Sequence, residues 1–545
     1  HIGNYQKDPD AYVDEESENE DEEETREKSW FDKTEEQQLS STGAPTEQTQ
    51  EEGWAEAAKK EKKTDVKKPD QKKKPQKSAT NKKLLAGPKT QKVERIITEL
   101  NLEERLIEMR NERGYRGTNP GDQLLELEKY LKVCESPDKI IQVLFMIIST
   151  LFDIPPSSAS FVPVDIWKVA ISNFARICHL LRIDRQQEKP TIEFPQLVPL
   201  YERLDTEFIK SLQFIDPHTQ DYVTRLRDEI LMLDVGERVF ELCSNDKHKQ
   251  ALVAVRLIEH LYYRKQEDHA RMFKAQRDTI PALLTEFSKT WVSKSETIEP
   301  INFTAPSVVT EDLHNVVVKL SNLVFADAAT HNYAQQNSIK CVIYLIYHLA
   351  LRGDWERARD LMLKTKIGDV IGQLVDRENR DVSLLICYNR AICQLGICAF
   401  RNGLITEAHF LLSEICSSGK VKELLAQGSS ARYTDKSKKS DQEKAEKSKS
   451  VLYHKHINVD LLDAVHLISA MLLEVPNMAQ RTSTKRKVIS KSFKRLIEFY
   501  HRQVFLGPPE NTRDHINAAT KFLSIGDWRQ TYQNLAALED MWALM

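Results

Sequence analysis

Glycine is scarce in this sequence, at 17 of 545 residues, against an average of roughly 7% in globular proteins. Such scarcity argues against a chain rich in tight hairpins and against enzymes built on glycine-rich phosphate loops. Inside a helix glycine costs about 1 kcal/mol relative to alanine, so a glycine-poor chain suits long helices. Because no convincing series of alternating strands is visible either, the sequence predicts an all-α fold.

Motifs that carry chemistry are also lacking. The sequence contains no GxxxxGK[ST] phosphate loop, no GxSxG elbow, no HExxH pair and no CxxC pair. Most of the eight cysteines lie in apolar helical runs, which predicts buried thiols in a reducing compartment. Cys387, Cys393 and Cys398 share one such run and are predicted core residues. We therefore expect a protein that binds rather than catalyses, with no cofactor.

One close histidine pair, His454 and His456, leaves two interpretations open. An i, i+2 pair could bind a metal ion only on a strand, where both rings share a face, and no array of further ligands supports that. The alternative, which we favour, is that both rings pack at the start of a helix.

Long hydrophobic runs are absent. The longest, Cys341–Leu351 and Ala464–Leu473, fall far short of the roughly 20 residues that a membrane span needs. No signal peptide is visible at His1. We expect a cytoplasmic protein without a membrane partner.

Charge is segregated at the start of the chain. Residues 1–52 hold 18 acidic residues against 4 lysines and arginines, whereas residues 53–90 hold 13 basic residues against 4 acidic ones. Blocks of this kind bury little apolar area, and so we predict a disordered, acidic-then-basic tail over residues 1–91. Within it, Trp54 is either part of a solvated linker or the anchor of a linear binding motif.

From residue 92 onward, apolar residues recur with helical spacing. The pattern predicts helices at Val164–Ile183, Pro217–Leu233 and Gly236–Cys243, among others, with Asp216 and Pro217 as the cap and first residue of one of them. We divide this part into an N-terminal helical region, 92–300, and a region of helical repeats, 301–545. A polar insertion at 429–450 interrupts the repeats and is expected to be an exposed loop or a solvated helix.

Three segments share one layout: Ala350–Leu363, Ala399–Leu412 and Phe522–Leu535. In each, a helix ends near a glycine (Gly353, Gly403 or Gly526), a bulky residue follows two positions later (Trp355, Ile405 or Trp528), and an amphipathic helix begins. Helix pairs that turn at a glycine and stack through a bulky residue form solenoids. The segments are unevenly spaced, which predicts an irregular solenoid in which all three bulky residues fill the space between neighbouring pairs.

Two basic clusters are candidate contacts for RNA or the ribosome, since clustered Lys and Arg neutralise phosphates. The first is Arg113 with Arg116, in a turn flanked by glycines. The second is the set Lys485, Arg486, Lys487, Lys491, Lys494 and Arg495. For both clusters the alternative is an ordinary solvated face.

Several long runs resemble the c subunit of eukaryotic translation initiation factor 3. They include FIDPHTQDYVTRLRDE (Phe214–Glu229), YNRAICQLGICAFRNG (Tyr388–Gly403), HINVDLLDAVHLISAMLLEVPNM (His456–Met478) and LGPPENTRDHINAATKFLSIGDW (Leu506–Trp528). The resemblance covers nearly the whole chain.

The resemblance implies a helical array that leads into a winged helix, together a PCI domain. It also implies a scaffold that pairs with other subunits of the factor, notably a and e, and docks on the rRNA and proteins of the small ribosomal subunit. The family's N-terminal region binds small initiation factors. In this chain we expect the winged helix to be missing after Met545 and part of the factor-binding region to precede His1.

Other classes of protein remain as alternatives. The nearest is a helical scaffold subunit of the proteasome lid or signalosome, followed by an enzyme-associated helical adaptor and an enzyme with an unfamiliar site. The charged tail and the second basic cluster favour a partner rich in RNA.

Overall fold

The computed structural model describes residues 101–115, 118–155, 160–186, 192, 194–276, 312–330, 335–375, 381–428, 447–479, 488–503 and 507–545. The chain divides into two units, His1–Gln91 and Lys92–Met545, and all described residues belong to the second. Within these residues the regular structure is helical throughout, which confirms the predicted all-α fold. The predicted tail and Trp54 lie outside the described residues.

The first half of the array contains nine described helices, most of them 11 to 22 residues long. They are α1 (Leu102–Glu112), α2 (Pro120–Val133), α3 (Pro137–Leu151), α4 (Val164–Arg185), α5 (Leu197–Phe214), α6 (Gln220–Arg227), α7 (Glu229–Leu242), α8 (Lys247–Leu261) and α9 (Gln266–Gln276). Two of them, α2 and α3, have proline at the first helical position, where the missing N–H costs nothing.

The second half continues in the same style, again counting only described helices. They are α10 (Leu313–Thr330), α11 (Gln335–Arg352), α12 (Trp355–Thr365), α13 (Ile367–Val375), α14 (Val382–Arg401), α15 (Ile405–Cys416), α16 (Val421–Leu424), α17 (Val459–Ala479), α18 (Lys491–Arg502), α19 (Thr512–Ile525), α20 (Trp528–Ala536) and α21 (Glu539–Trp542).

Helices that lie one to three positions apart in chain order pack on one another and bury apolar stripes between them. In the middle of the array α8 packs on α10, and beyond it α11 packs on α14, α14 on α15, and α15 on α17. The largest cluster of buried apolar residues extends from Leu102 to Val465, and two smaller clusters surround Trp355 and Phe493. The core is therefore continuous across the described residues on both sides of position 300, and the division into 92–300 and 301–545 stays a prediction.

One helix, α14, is long and apolar enough to cross a membrane by length and hydropathy alone. Most of its side chains are buried, and it packs against α11, α15 and α17. This is the environment of a core helix in a helical array.

The three predicted repeat turns have the same geometry. Gly353, Gly403 and Gly526 all have positive φ angles, of 89°, 77° and 92°. In each turn the residue after the glycine donates its N–H to the carbonyl five positions earlier: Asp354 to Leu349, Leu404 to Ala399, and Asp527 to Phe522, all at 3.0 Å. This is the Schellman pattern, in which a left-handed residue satisfies the last carbonyls of a helix. The predicted layout of the turns is therefore confirmed.

The bulky residues after these glycines behave differently from one another. Trp355 is 7% exposed and packs with Leu395 and Ala399 of the following pair, as predicted, whereas Ile405 is half-buried. Trp528 is 66% exposed, so the prediction that it fills the space between pairs is wrong for this residue. The reason is the neighbour: α14 covers Trp355, whereas no described helix covers the ring of Trp528.

Two helix predictions between residues 216 and 243 are also corrected. The chain breaks at Asp228, between α6 and α7, rather than near Gly236. Gly236 lies inside α7, where an added Cβ would collide with the hydroxyl of Tyr201. This glycine permits close packing rather than a turn. Asp216 accepts a hydrogen bond from the N–H of His218 at 3.0 Å, which caps a turn ahead of α6 instead of a helix starting at Pro217.

The contrast between the two tryptophans is testable. We expect Trp355→Ala to lower the free energy of unfolding by about 3–5 kcal/mol, because it removes a buried aromatic ring. Trp528→Ala removes a mostly exposed ring and should change it by about 0.5 kcal/mol or less. Thermal unfolding of both variants, followed by circular dichroism, measures the difference. Equal losses in the two variants would contradict the packing described above.

Candidate nucleic-acid interface

Helix α18 carries three residues of the second basic cluster, and its start is fixed by buried polar groups. Glu474, at 4% exposure, accepts hydrogen bonds from the N–H groups of Ile489 (2.8 Å) and Ser490 (3.3 Å). The Ser490 hydroxyl then accepts from the N–H of Phe493 at 3.4 Å, as an N-cap. The last residues of α17 therefore determine where α18 begins.

The inner face of α18 is apolar and packs on the array. Phe493 and Tyr500 are buried, and Leu496 and Ile497 pack against the cluster that α17 and α19 contribute. The Tyr500 hydroxyl donates a hydrogen bond to Asp514 at the start of α19. These interactions hold the helix with one defined face outward.

The outer face of α18 is cationic. Lys491, Lys494, Arg495 and Arg502 are exposed there beside a single acid, Glu498. Glu498 forms long ion pairs with Lys494 (3.9 Å) and Arg502 (4.0 Å). Exposed pairs of this kind contribute little to stability, so the positive charge remains available to a partner. The structure thus places Lys491, Lys494 and Arg495 together on one solvent-facing surface.

Of the remaining residues in the two predicted basic clusters, the structure describes Arg113 alone. Lys485, Arg486, Lys487 and Arg116 lie outside the described residues. Arg113 forms a bidentate ion pair with Asp153, Nε to Oδ2 at 2.5 Å and Nη2 to Oδ1 at 2.8 Å. This hydrogen-bonded pair raises the pKa of Arg113 and ties the end of α1 to the end of α3. Its role in binding RNA stays a prediction, since the guanidinium already has a partner.

The histidine pair has a structural explanation. His454 lies in a short 3₁₀ turn, Tyr453–Lys455, and its ring nitrogens contact the hydroxyls of Tyr222 (Nδ1, 2.8 Å) and Tyr263 (Nε2, 3.2 Å). Burial lowers the pKa of His454 to about 3. His456 Nε2 contacts the Val451 carbonyl at 3.0 Å. No cluster of three or more metal-ligating side chains occurs among the described residues, and the packing interpretation agrees with these hydrogen bonds.

The turn at His454 belongs to a segment that we call the strap, residues 447–458, which begins with the last four residues of the polar insertion. Gln213 of α5 donates to the carbonyls of Ser448 (3.2 Å) and Ser450 (3.1 Å). Lys455 Nζ donates to the Glu259 carbonyl at 3.0 Å and lies 4.7 Å from the centre of the Tyr263 ring. The strap therefore brings the second half of the chain back onto α5, α6 and α8. Of the insertion itself, residues 429–446 lie outside the described residues.

Beneath the strap lies an ionic cluster that sequence reasoning did not find. The buried His260 contacts Glu229 through Nδ1 (2.6 Å) and Asp205 through Nε2 (2.8 Å), and Arg264 also pairs with Glu229. Burial alone would lower the pKa of His260, but the two carboxylates outweigh it and raise the pKa to about 9. Burial would raise the pKa of Glu229, yet Arg264 and His260 hold it well below its usual value. His260 and Glu229 are thus both ionised and paired at neutral pH.

The cysteines lie where the sequence predicts them. Cys393 and Cys398 are buried and Cys387 is half-buried in α14. Burial raises the pKa of all three thiols, which keeps them protonated and unreactive.

Comparison with known proteins decides the family. The model described as "Eukaryotic translation initiation factor 3 subunit 8 N-terminus" matches residues 1–485. The chain belongs to this family. It is 36% identical over 467 residues to the C subunit of eukaryotic translation initiation factor 3 from Aspergillus fumigatus, covering 79% of this chain and 51% of that protein. The C subunits from Coccidioides immitis (35% identical; 79% and 51% covered) and Botryotinia fuckeliana (33%; 79% and 50%) are similarly related.

Membership of this initiation factor 3 family confirms the resemblance drawn from the sequence. The chain spans about half the length of the curated relatives that it matches. The family match ends at residue 485, so α18 to α21 lie beyond it.

In this family member the ionic cluster carried only a weak signal in the sequence. Asp205 and His260 occupy core positions of the apolar helices α5 and α8, and Glu229 follows the helix break at Asp228. A charged residue on the apolar stripe of a helix could have marked each position, since such residues are buried only with partners. The sequence does not show which helices supply the partners. His260 lies 31 residues after Glu229 and 55 residues after Asp205, and only the packing of the helices brings them together.

The raised pKa of His260 gives a stability profile that can be measured. The folded-state value of about 9 lies above the ordinary value of 6.5. The protonated ring therefore contributes stability that is fully present below pH 6.5 and is lost as the pH rises through about 9. We expect the thermal midpoint of the chain to fall between about pH 7 and pH 9.5, and to fall less in His260→Gln.

Thermal unfolding at constant ionic strength measures these profiles. His179→Gln is the matched control, because that ring is exposed, and it should keep the wild-type profile. Identical profiles for wild type and His260→Gln would show that the ring is not charged in the folded state.

Proposed function

We propose that this chain is a non-catalytic scaffold region of eukaryotic translation initiation factor 3. It would help to assemble the core of the factor and dock it on the small ribosomal subunit, in the cytoplasm, to form the pre-initiation complex. Family membership supports the factor, and a continuous array of stacked helices supports a scaffold, because solenoids present long surfaces to their partners.

The observation that carries the docking part is the outer face of α18. Its cations project from a helix that is anchored on the array through Phe493 and Tyr500. Lysine and arginine clusters bind phosphates with counterion release, whatever the sequence of the nucleic acid. In the sequence Lys485, Arg486 and Lys487 come shortly before this helix, and we include them in the proposed surface, as we include Arg113 and Arg116 as a second, weaker candidate.

Partners among proteins are part of the same proposal. Other subunits of the factor, notably a and e, would pair with the helical array. Small initiation factors would bind the N-terminal region, where Trp54 is the candidate anchor of a linear motif. A membrane is not among the proposed partners, since the apolar helix α14 is mostly buried in the array.

A non-catalytic role is supported from two sides. The relatives are named as initiation factor subunits. Burial raises the pKa of the Cys178 and Cys393 thiols, which disfavours the thiolate. The rings of His260 and His454 already form hydrogen bonds with Asp205 and Tyr222. The family match gives no support to a scaffold of the proteasome lid or signalosome.

The charge of α18 can be reversed without touching its packed face. We expect the triple variant Lys491→Glu, Lys494→Glu, Arg495→Glu to cosediment more weakly with small ribosomal subunits. Its association should also depend less steeply on salt. The slope of the logarithm of the association constant against the logarithm of salt concentration should fall by roughly one for each phosphate that is no longer bound. The measurement is cosedimentation of the full chain over a range of salt concentrations.

The matched control reverses the same number of exposed cations on another helix, where each cation already pairs with a nearby carboxylate. Arg357, Arg359 and Lys364 are exposed on α12, and reversing all three should leave cosedimentation unchanged. Equal losses in the two triple variants would mean that net charge, rather than the α18 surface, determines association.

A second variant tests the residues that precede α18. We expect Lys485→Glu, Arg486→Glu, Lys487→Glu to weaken association with the small ribosomal subunit in the same assay, because the clustered charge extends the same cationic surface along the sequence. Unchanged cosedimentation at moderate salt would remove these three residues from the proposal.

A further inference from the structure

An aromatic ring interrupts the cations of α18. Phe499 is 58% exposed, although the other large apolar residues of this helix face the array. Lys491, Arg495 and Phe499 are spaced four residues apart, which puts them in one row along the helix with a rise of about 6 Å at each step. The row therefore presents two cations followed by a solvent-facing ring.

One side of the Phe499 ring packs against a buried neighbour. It packs edge-to-face against Tyr500, with ring centres 5.7 Å apart and planes at 84°. Tyr500 is itself buried and hydrogen-bonded to Asp514. A ring supported in this way loses little conformational freedom when a second flat group stacks on its open side.

The charges around the ring favour an anionic partner. Glu498 lies between Lys494 and Arg502 and pairs with both. Within the part of the chain that the structure describes, Arg495 has no ion pair. The cation nearest the ring along the row is therefore available to a phosphate.

A protein partner fits this face less well than RNA. The centres of protein interfaces are apolar and depleted of lysine, whereas Phe499 is the single large apolar side chain among the exposed residues of α18. Cations that track a phosphate backbone, with an aromatic ring on which a base stacks, are the elements of a site for single-stranded nucleic acid.

We propose that α18 binds single-stranded RNA, with Lys491 and Arg495 contacting phosphates and Phe499 stacking on an unpaired base. This inference rests on the proposed function and adds the kind of RNA that the surface takes. Duplex RNA keeps its bases stacked within the helix and offers mainly phosphates and 2′-hydroxyls. A duplex would therefore offer no free base on which the Phe499 ring could stack, and so the structure points to an unpaired segment.

The test is binding of the full chain to a short, unstructured, fluorescently labelled RNA, compared with a duplex of the same sequence. We expect Phe499→Leu to weaken binding of the single strand about tenfold, in the range measured for loss of one base stack, and to leave duplex binding unchanged. Phe499→Trp should retain or strengthen single-strand binding. Because Phe499 is more than half exposed, the thermal midpoints of both variants should match the wild type.

Other outcomes would overturn the inference. If Phe499→Leu bound the single strand as tightly as wild type, the ring would have no part in the site. A second test adds an acidic peptide such as polyglutamate at the same charge concentration as the RNA. If the peptide displaced the RNA from the wild type, and displaced it less well from the Phe499→Leu variant, the surface would be a protein-binding face.

The proposed function can fail separately. Loss of cosedimentation in the charge-reversal variant, together with no effect of Phe499→Leu on RNA binding, would leave the docking proposal standing and remove this one. If Phe499→Leu weakened RNA binding while the charge-reversal variant cosedimented normally, the single-strand site would stand and the docking proposal would be removed.

Discussion

The interaction of His260 with the carboxylates of Asp205 and Glu229 lies where α5, α7 and α8 meet. Charged groups that are this deeply buried are tolerated only in pairs, and removing one partner from such a pair typically costs about 3–5 kcal/mol. The strap depends on the same interaction, because Tyr263 donates to Glu229 at 3.2 Å and also contacts His454. A single polar network thus joins α5, α7 and α8 to the strap, in which His454 lies 191 residues after Tyr263.

Three turns in the second half of the array share a simpler device. A left-handed glycine satisfies the end of one helix, and the next helix starts two residues later. Because the turns at Gly353, Gly403 and Gly526 have the same hydrogen bonds, they reverse the chain in the same way. What differs is the environment beyond each turn, which is why Trp355 is buried and Trp528 is exposed.

Helix α18 shows how such an array can present charge to a partner. Its anchoring is complete without the outer face, since Glu474 and Ser490 fix its start and Phe493 and Tyr500 fill its inner side. The outer residues are therefore not needed for folding. A surface of this kind can carry a dense positive charge, and even an exposed ring, with little effect on stability.

The sequence by itself determined the helical class, the three glycine turns and the core positions of Cys393 and Cys398, because each follows from local spacing and backbone geometry. It also determined that Lys491, Lys494 and Arg495 form a basic cluster. Only the tertiary structure decided that Gly236 permits close packing, that Trp528 is uncovered, and that Arg113 is paired with Asp153. The ionic cluster and the strap belong to the same group. In each case the deciding neighbour comes from another helix, at a distance along the chain that periodicity does not encode.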